Sequence, residues 1–358
     1  MPKDWHCRQD HSDPSVVDMT RLDTTGAALC VLGMAILGSS VAVSRLILDY
    51  PALTGQAMRY ALATAALAAL LAVAPGVGGP ARRLPGGRDL LVLAALAAIG
   101  LVAFNLCLLS ALRHADAAIV GTVVGAAPLG LALIGPLSRR DRPAARLVGG
   151  AVVVVAGTAL VHGGGHADAV GVLAALGALV GEVAFSLLAV AVLPRLGAVR
   201  VSAWSCAMAV PMLGLCALLA GEPARWRPPV AAEAWTLVYL ALMLTVGAFL
   251  AWFTGLRRLG VERAGMFVGL LPVATLATAS IQDGRLPGPI QTAGVLVVAL
   301  GLAVGLTDRP RARQPEPEPA SAAEPASASA SAAPAEPAPL AEPASLAEPA
   351  SAARTVSA

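Results

Sequence analysis

Of the 358 residues, 57% are hydrophobic and only 13% charged, with a mean hydropathy of +0.74. A soluble domain carries about 25% charged residues, so this composition excludes a soluble globular enzyme and places the chain in lipid. The formal net charge of +3 gives no ground for a nucleic-acid partner.

Residues 1–23 are polar and read as a loose cytoplasmic N-terminus. Ten apolar stretches follow, at 24–48, 52–74, 89–112, 116–137, 144–162, 169–193, 199–220, 232–256, 261–282 and 288–307. Each is near the roughly 20 residues that one bilayer crossing needs. Several links are a few residues long, which makes neighbouring helices antiparallel hairpins. The first stretch is too long for a cleavable signal and lacks a small-residue cleavage site. Residues 308–358 are nearly all Ala, Pro, Glu and Ser, with Ala-Glu-Pro-Ala-Ser recurring at Ala323, Ala341 and Ala347. Such a stretch buries too little apolar surface to offset its chain entropy and is expected to be a disordered cytoplasmic tail.

Orientation follows from the basic residues, which collect on the cytoplasmic side. With the N-terminus inside, the inner loops hold Lys3, Arg8, Arg21, Arg82, Arg83, Arg88, Arg139, Arg140, Arg142, Arg146, Arg195, Arg200, Arg257, Arg258 and Arg263. The outer loops hold only Arg113, Arg225, Arg227 and Arg285. Fifteen against four puts both termini in the cytoplasm and makes the chain a multi-pass protein of the cell membrane.

The chain also repeats itself at an offset of 144 positions. Gly121, Gly125 and Pro128 recur as Gly265, Gly269 and Pro272, Gly150 and Gly157 as Gly294 and Gly301, and Leu112–Arg113 as Leu256–Arg257. Five spans per copy is an odd number, so the second copy inserts upside down. The fold class is therefore all-α integral membrane, with ten helices in two inverted five-helix repeats over 24–162 and 169–307. Inverted repeats are the architecture of alternating-access transporters.

These residues resemble the drug/metabolite transporter superfamily, and within it the EamA-type carriers. The likeness rests on Ala111-Leu112-Arg113, then Ala117-Ala118, then Pro128, repeated as Gly255-Leu256-Arg257 and Pro272. Arg59 matches a basic residue that members often carry in the second span. Where many relatives have Gly-Glu after the fourth helix, this chain has Ser138-Arg139-Arg140-Asp141, and no turn carboxylate is assigned here. The resemblance implies a secondary carrier of small organic solutes, often an exporter of amino acids or related metabolites.

Ionisable groups inside hydrocarbon cost at least about 2.5–3.5 kcal/mol each on insertion scales, so they mark candidate sites. Glu182 stands near the middle of the sixth stretch and suits either proton coupling or an ammonium substrate; the bland alternative is a structural glutamate tied to an arginine. Arg59 lies about 10 Å into the second stretch and Glu182 about 20 Å from the same side, at 1.5 Å per residue. A guanidinium at that depth suits a substrate carboxylate, or else ties two helices. Arg45 is expected to snorkel or to meet Asp49.

Pro128 and Pro272 each remove a backbone hydrogen bond and free a carbonyl, and matching kinks in both halves point to the binding site. Gly121 with Gly125, and Gly265 with Gly269, form small-residue pairs that allow close helix packing. Asn105, Tyr60, Trp252, Gln56, Ser40, Trp204 and Phe249 are further lining candidates, though each taken singly reads first as ordinary packing.

The five cysteines show no paired spacing, and neither His162–His166 nor His6–Cys7–His11 has a metal-ligand spacing. No cofactor, metal site, nucleotide loop or nucleophile motif is expected, which argues against an ATP-driven pump and an intramembrane hydrolase.

The expected function is proton-coupled efflux of a small metabolite by alternating access, with the lipid bilayer as medium and a homodimer compatible with the sequence. The competing expectations are an exporter of lipophilic cationic drugs and, from another class, a non-transporting scaffold or receptor acting through its tail.

Overall fold

The computed structural model describes residues 23–47, 49–74, 76 and 84–307. The expectations for the N-terminal segment up to residue 22, for the tail from residue 308, for Arg82 and Arg83, and for the Arg45 side chain fall outside the described residues.

Long apolar runs rich in Ala, Leu and Val form helices because a backbone in hydrocarbon has no partners except its own. The helices are α1 (Thr24–Ser44), α2 (Ala52–Val73), α3 (Gly87–His114), α4 (Ala117–Ser138), α5 (Ala145–His162), α6 (Ala169–Leu219), α7 (Ala231–Leu259), α8 (Val261–Asp283) and α9 (Pro289–Leu306). Eight of them, α2 to α9, are long and apolar enough to cross a membrane, and α1 supplies a shorter apolar run, Thr24–Ser40. Among the described residues there is no named strand, only an isolated antiparallel bridge between Ala115 and Ala167. Helix stops are local: Gly284 closes α8 with φ 60°, and Pro289 opens α9, the positions where Gly and Pro fit helix ends.

The helix α6 departs from the sequence expectation. Instead of a link between residues 193 and 199, one residue breaks it: Gly197, with φ 75° and ψ 163°. That conformation is open to glycine and strained for other residues, so a single glycine divides α6 into two arms.

The 144-residue offset reappears in the backbone. A π-helical segment in α3, Leu96–Ala103, is matched in α7 by Leu240–Gly247 at the same offset. The fourth helix of each repeat is broken: α4 loosens at Gly125 and Ala126, and α8 passes through a tight 3-10 turn at Phe267–Gly269. Both breaks fall just before a buried proline, Pro128 or Pro272, where the missing N–H and the ring's clash with the preceding turn forbid a regular helix. The kinks expected from sequence are present.

Packing joins helices of one repeat to helices of the other. The first arm of α6 lies on α3 as α1 lies on α7, α2 lies on the second arm of α6, α4 on α8, and α5 on α9. At α5–α9 the backbones nearly touch. A Cβ on Gly157 would stand 2.6 Å from Val298 N, and one on Gly301 would stand 2.7 Å from Val154 N. The four glycines singled out for close approach behave differently: Gly121 faces the His162 ring, Gly125 the Thr158 methyl, Gly265 Leu131 and Gly269 Val154. They make room for side chains, while Gly150, Gly157, Gly294 and Gly301 make room for backbone.

Connectivity sorts the ends of the bundle. Arg139 meets Glu262, which lies just across the Gly260 break from Arg258, and Arg258 pairs with Asp23 at 2.6 Å. Asp89 starts α3 and pairs with Arg195 at 2.6 Å. Across α5, the bridge at Ala115 and Ala167 lies at the other end with His114, His166 and Asp168. We refer to these as the Arg139 end and the His114 end.

Candidate functional site

One group of buried polar residues lies between α2, α3 and the second arm of α6. Arg59 and Tyr60 are neighbours on α2 and are 9% and 2% exposed. The Arg59 guanidinium folds over its neighbour, its carbon 4.5 Å from the Tyr60 ring centroid, a cation–π arrangement. Asn105 on α3 is buried, and its amide donates to the Leu101 carbonyl at 2.6 Å and to the Tyr60 hydroxyl at 3.4 Å. Leu101 belongs to the π-helical segment, so that segment orients the amide toward Tyr60. Cys206, fully buried on the second arm of α6, completes the surroundings of Arg59 and Tyr60.

This cluster is incompletely satisfied. Arg59 Nε and Gln56 Oε1, one helical turn apart on α2, are buried and have no hydrogen-bond partner among the described residues. Ser186 Oγ on the first arm of α6 and Ser202 Oγ on the second are in the same state. A buried donor or acceptor left unpaired costs about 1–3 kcal/mol, and native proteins keep few of them unless a ligand or water completes the set.

Glu182 lies on the first arm of α6. Residues three to four and seven positions away share its helix face, and Ala175, Ala178, Ser186 and Ala189 are all fully buried. The opposite face carries Leu173 and Val180, exposed as lipid-facing residues are. Glu182 therefore points into the bundle. It is itself only half-buried. Among the described residues its carboxylate has no hydrogen bond or ion pair. In particular it does not pair with Arg59, whose described contact is the Tyr60 ring.

One turn along from Glu182 stands an aromatic trio. Phe185 stacks on Phe253 with centroids 5.1 Å apart, and Phe249 lies 5.2 Å from Phe185. Trp252 is buried beside them on α7, its backbone close to Gly33 of α1. Pro128 and Pro272 are buried at the helix breaks described above. The structure thus brings Arg59, Tyr60 and Asn105 together and leaves Glu182 separate from them.

Two clefts open at the His114 end. One of about 260 Å³ is lined by Leu53, Ser110, Arg113, Glu222 and Arg225 among others. The other, about 360 Å³, is lined by residues 112–116 and 166–168.

Several polar residues with structural work were not foreseen. Glu222 accepts from the Leu53 and Thr54 N–H groups and caps α2. Arg227 forms a two-pronged pair with Glu233 at 2.7 and 2.6 Å, while its backbone carbonyl accepts from the Tyr50 hydroxyl at 3.2 Å. At the Arg139 end, Arg139–Glu262, Arg195–Asp89 and Arg258–Asp23 each join one repeat to the other. Arg258 holds the Asp23 carboxyl below the usual carboxylate range, with the Gly26 N–H adding to it, and Glu262 raises the Arg139 guanidinium. The arginines were legible as topology markers; their acidic partners lie up to 235 residues away in sequence.

A model of the EamA-like transporter family matches this chain twice, over residues 24–163 and 169–307. The chain belongs to the EamA-like transporter family. Its function class is accordingly transport, and it is not an enzyme. The EamA-like protein is 24% identical over 256 residues to YetK of Bacillus subtilis (strain 168), an uncharacterised transporter; the aligned part spans 69% of this chain and 76% of YetK. A solved crystal structure shares the fold with a TM-score of 0.68 at 23% identity, covering 80% of this chain and 99% of that one. The two matched segments begin and end within a few residues of the two repeats read from sequence, and the 144-residue offset of the π-helical segments and helix breaks carries the same duplication into the backbone.

Proposed function

We propose that this EamA-like transporter carries a small organic metabolite bearing a carboxylate, with amino acids and their derivatives favoured, by proton-coupled efflux through the cell membrane. The observation that carries this reading is Arg59: a guanidinium buried within an apolar helix, stacked on Tyr60, with Nε unpaired beside the unpaired Gln56 Oε1. A planar fork with open donors suits a carboxylate. Glu182, unpaired at mid-helix on an inward face, takes the coupling role, since intramembrane ionisable groups without a structural partner mark ion and substrate paths.

In this reading the chain crosses the membrane ten times. The two arms of α6 count separately, and α1 adds one to the eight long apolar helices. The repeats are inverted, the Arg139 end and both termini are cytoplasmic, and one half rocks against the other. In this reading the helix breaks at Pro128 and Pro272 line the substrate path from opposite repeats.

The test is counterflow in proteoliposomes with labelled amino acids and simple amines under an imposed pH gradient, wild type beside Glu182→Gln. Gradient-responsive flux that loses its response in the variant supports the proposal. Flux indifferent to the gradient in both returns Glu182 to structure, and absence of flux for every solute overturns the substrate class.

A further inference from the structure

Two ion pairs at opposite ends of the bundle are copies of one device. Asp23 immediately precedes α1, and Asp168 immediately precedes α6, the helices that open the two repeats. Each aspartate caps its own helix with Oδ1: the Gly26 N–H donates to Asp23 at 3.1 Å and the Gly171 N–H to Asp168 at 2.7 Å. Each uses Oδ2 to hold a basic side chain from the end of the third helix of the other repeat. Arg258 Nε donates to Asp23 at 2.6 Å, and His114 Nδ1 lies 3.0 Å from Asp168. His114 and Arg258 stand at the 144-residue offset, so they are equivalent positions.

This one device thus occurs once at each end, among the other contacts between the repeats, and with different chemistry. Arginine keeps its charge at every working pH. Histidine changes charge between about pH 5 and 8. We infer that His114–Asp168 is a proton-operated latch between the repeats, and that Arg258–Asp23 is its permanently charged counterpart. This holds whatever the cargo and whether or not Glu182 couples protons.

The groups that face the latch support that assignment. Arg113 adjoins His114, and Asp116 and His166 form the next rung of the same bridge, with His166 Nδ1 4.0 Å from Asp116 Oδ2. Arg113 also borders the cleft of Glu222 and Arg225. On α5, His162 turns away, its ring against Gly121 and its Nδ1 3.1 Å from the Thr158 carbonyl. The Gly171 N–H first, and His114 second, hold the Asp168 carboxyl below the usual carboxylate range, so Asp168 stays ionised throughout the range in which an imidazole titrates. An imidazolium then faces a carboxylate on the acid side; as pH rises only a neutral hydrogen bond remains. The latch is tight in acid and loosens toward alkali.

Backbone hydrogen bonds report its state. The Asp168 N–H donates to the His114 carbonyl at 3.1 Å, and the Asp116 N–H to the His166 carbonyl at 3.0 Å. Hydrogen exchange resolved at these amides, on the full chain in lipid nanodiscs and corrected for the intrinsic pH dependence, is the experiment. In wild type their protection falls about two- to fivefold from pH 5.5 to 8, the span expected of an exposed ion pair, while the Gly26 amide at the other latch does not respond. His114→Arg holds protection high and flat, and His114→Gln holds it low and flat. Arg258→His moves the pH response to Gly26. A flat wild-type profile, or an undiminished slope in His114→Gln, overturns the latch.

Discussion

Glu222 reaches across the bundle to Thr54, its carboxylate accepting from both the backbone N–H and the hydroxyl at 2.7 Å. The Leu53 N–H donates to the other oxygen at 3.0 Å. Pro51 precedes α2 and offers no side chain to cap it, so a residue of the second repeat supplies the cap that the local sequence lacks. Glu222→Ala leaves buried N–H groups at the start of α2 and should lower stability by about 1–2 kcal/mol, the usual cost of a lost cap. Glu222→Gln keeps one acceptor and should cost less. Thermal unfolding in detergent orders the three proteins, and equal melting temperatures for wild type and Glu222→Ala would contradict the cap.

The α5–α9 contact predicts a second loss of stability. At Gly157 an added methyl meets backbone nitrogen at 2.6 Å, which cannot swing aside. Gly157→Ala should therefore force the helices apart at about 1–3 kcal/mol, the range for overpacking. Gly149, with nothing within 4 Å of its would-be Cβ, is the control: Gly149→Ala should leave the melting temperature unchanged or slightly raised.

Transport should depend on the shape of the Arg59 side chain as well as its charge. Hydrogen bonds to charged groups are worth about 1.5–3 kcal/mol, so Arg59→Ala should reduce flux per folded molecule at least about tenfold. Arg59→Lys restores the charge without the planar fork and should recover only part. Asn105→Leu removes the amide that meets the Tyr60 hydroxyl and should raise the apparent KM more than it lowers the maximal rate. A purely structural Arg59 would show itself as a lower melting temperature with flux per folded molecule intact.

The Arg258–Asp23 pair predicts an acid limit. Asp23 is held below the ordinary carboxylate value of about 3.9, so its contribution is present above that value and is lost as pH falls through the lower folded one. Protection of the Gly26 amide should hold from neutral pH to about 4 and fail only below it. Asp23→Asn should lose that acid transition. A transition near pH 6 in wild type would mean that another group governs this end.

The apolar spans, the duplication at 144 residues and the proline kinks were legible in the sequence because each is a local pattern. A span is a run of apolar residues, a kink needs one proline, and a repeat survives as spacing. Membrane residence and the transporter class followed from these alone. What only tertiary structure decided was which polar groups meet. Asp23 and Arg258 are 235 positions apart, and no local period links them. The Leu101 carbonyl that turns Asn105 toward Tyr60 depends on a π-helical register that composition does not encode. Counting residues puts Arg59 about 10 Å and Glu182 about 20 Å from the same side, yet depth leaves open the rotation of each helix about its axis. The packing of α2 on the second arm of α6, and of the first arm on α3, sets those rotations and keeps the two charges unpaired.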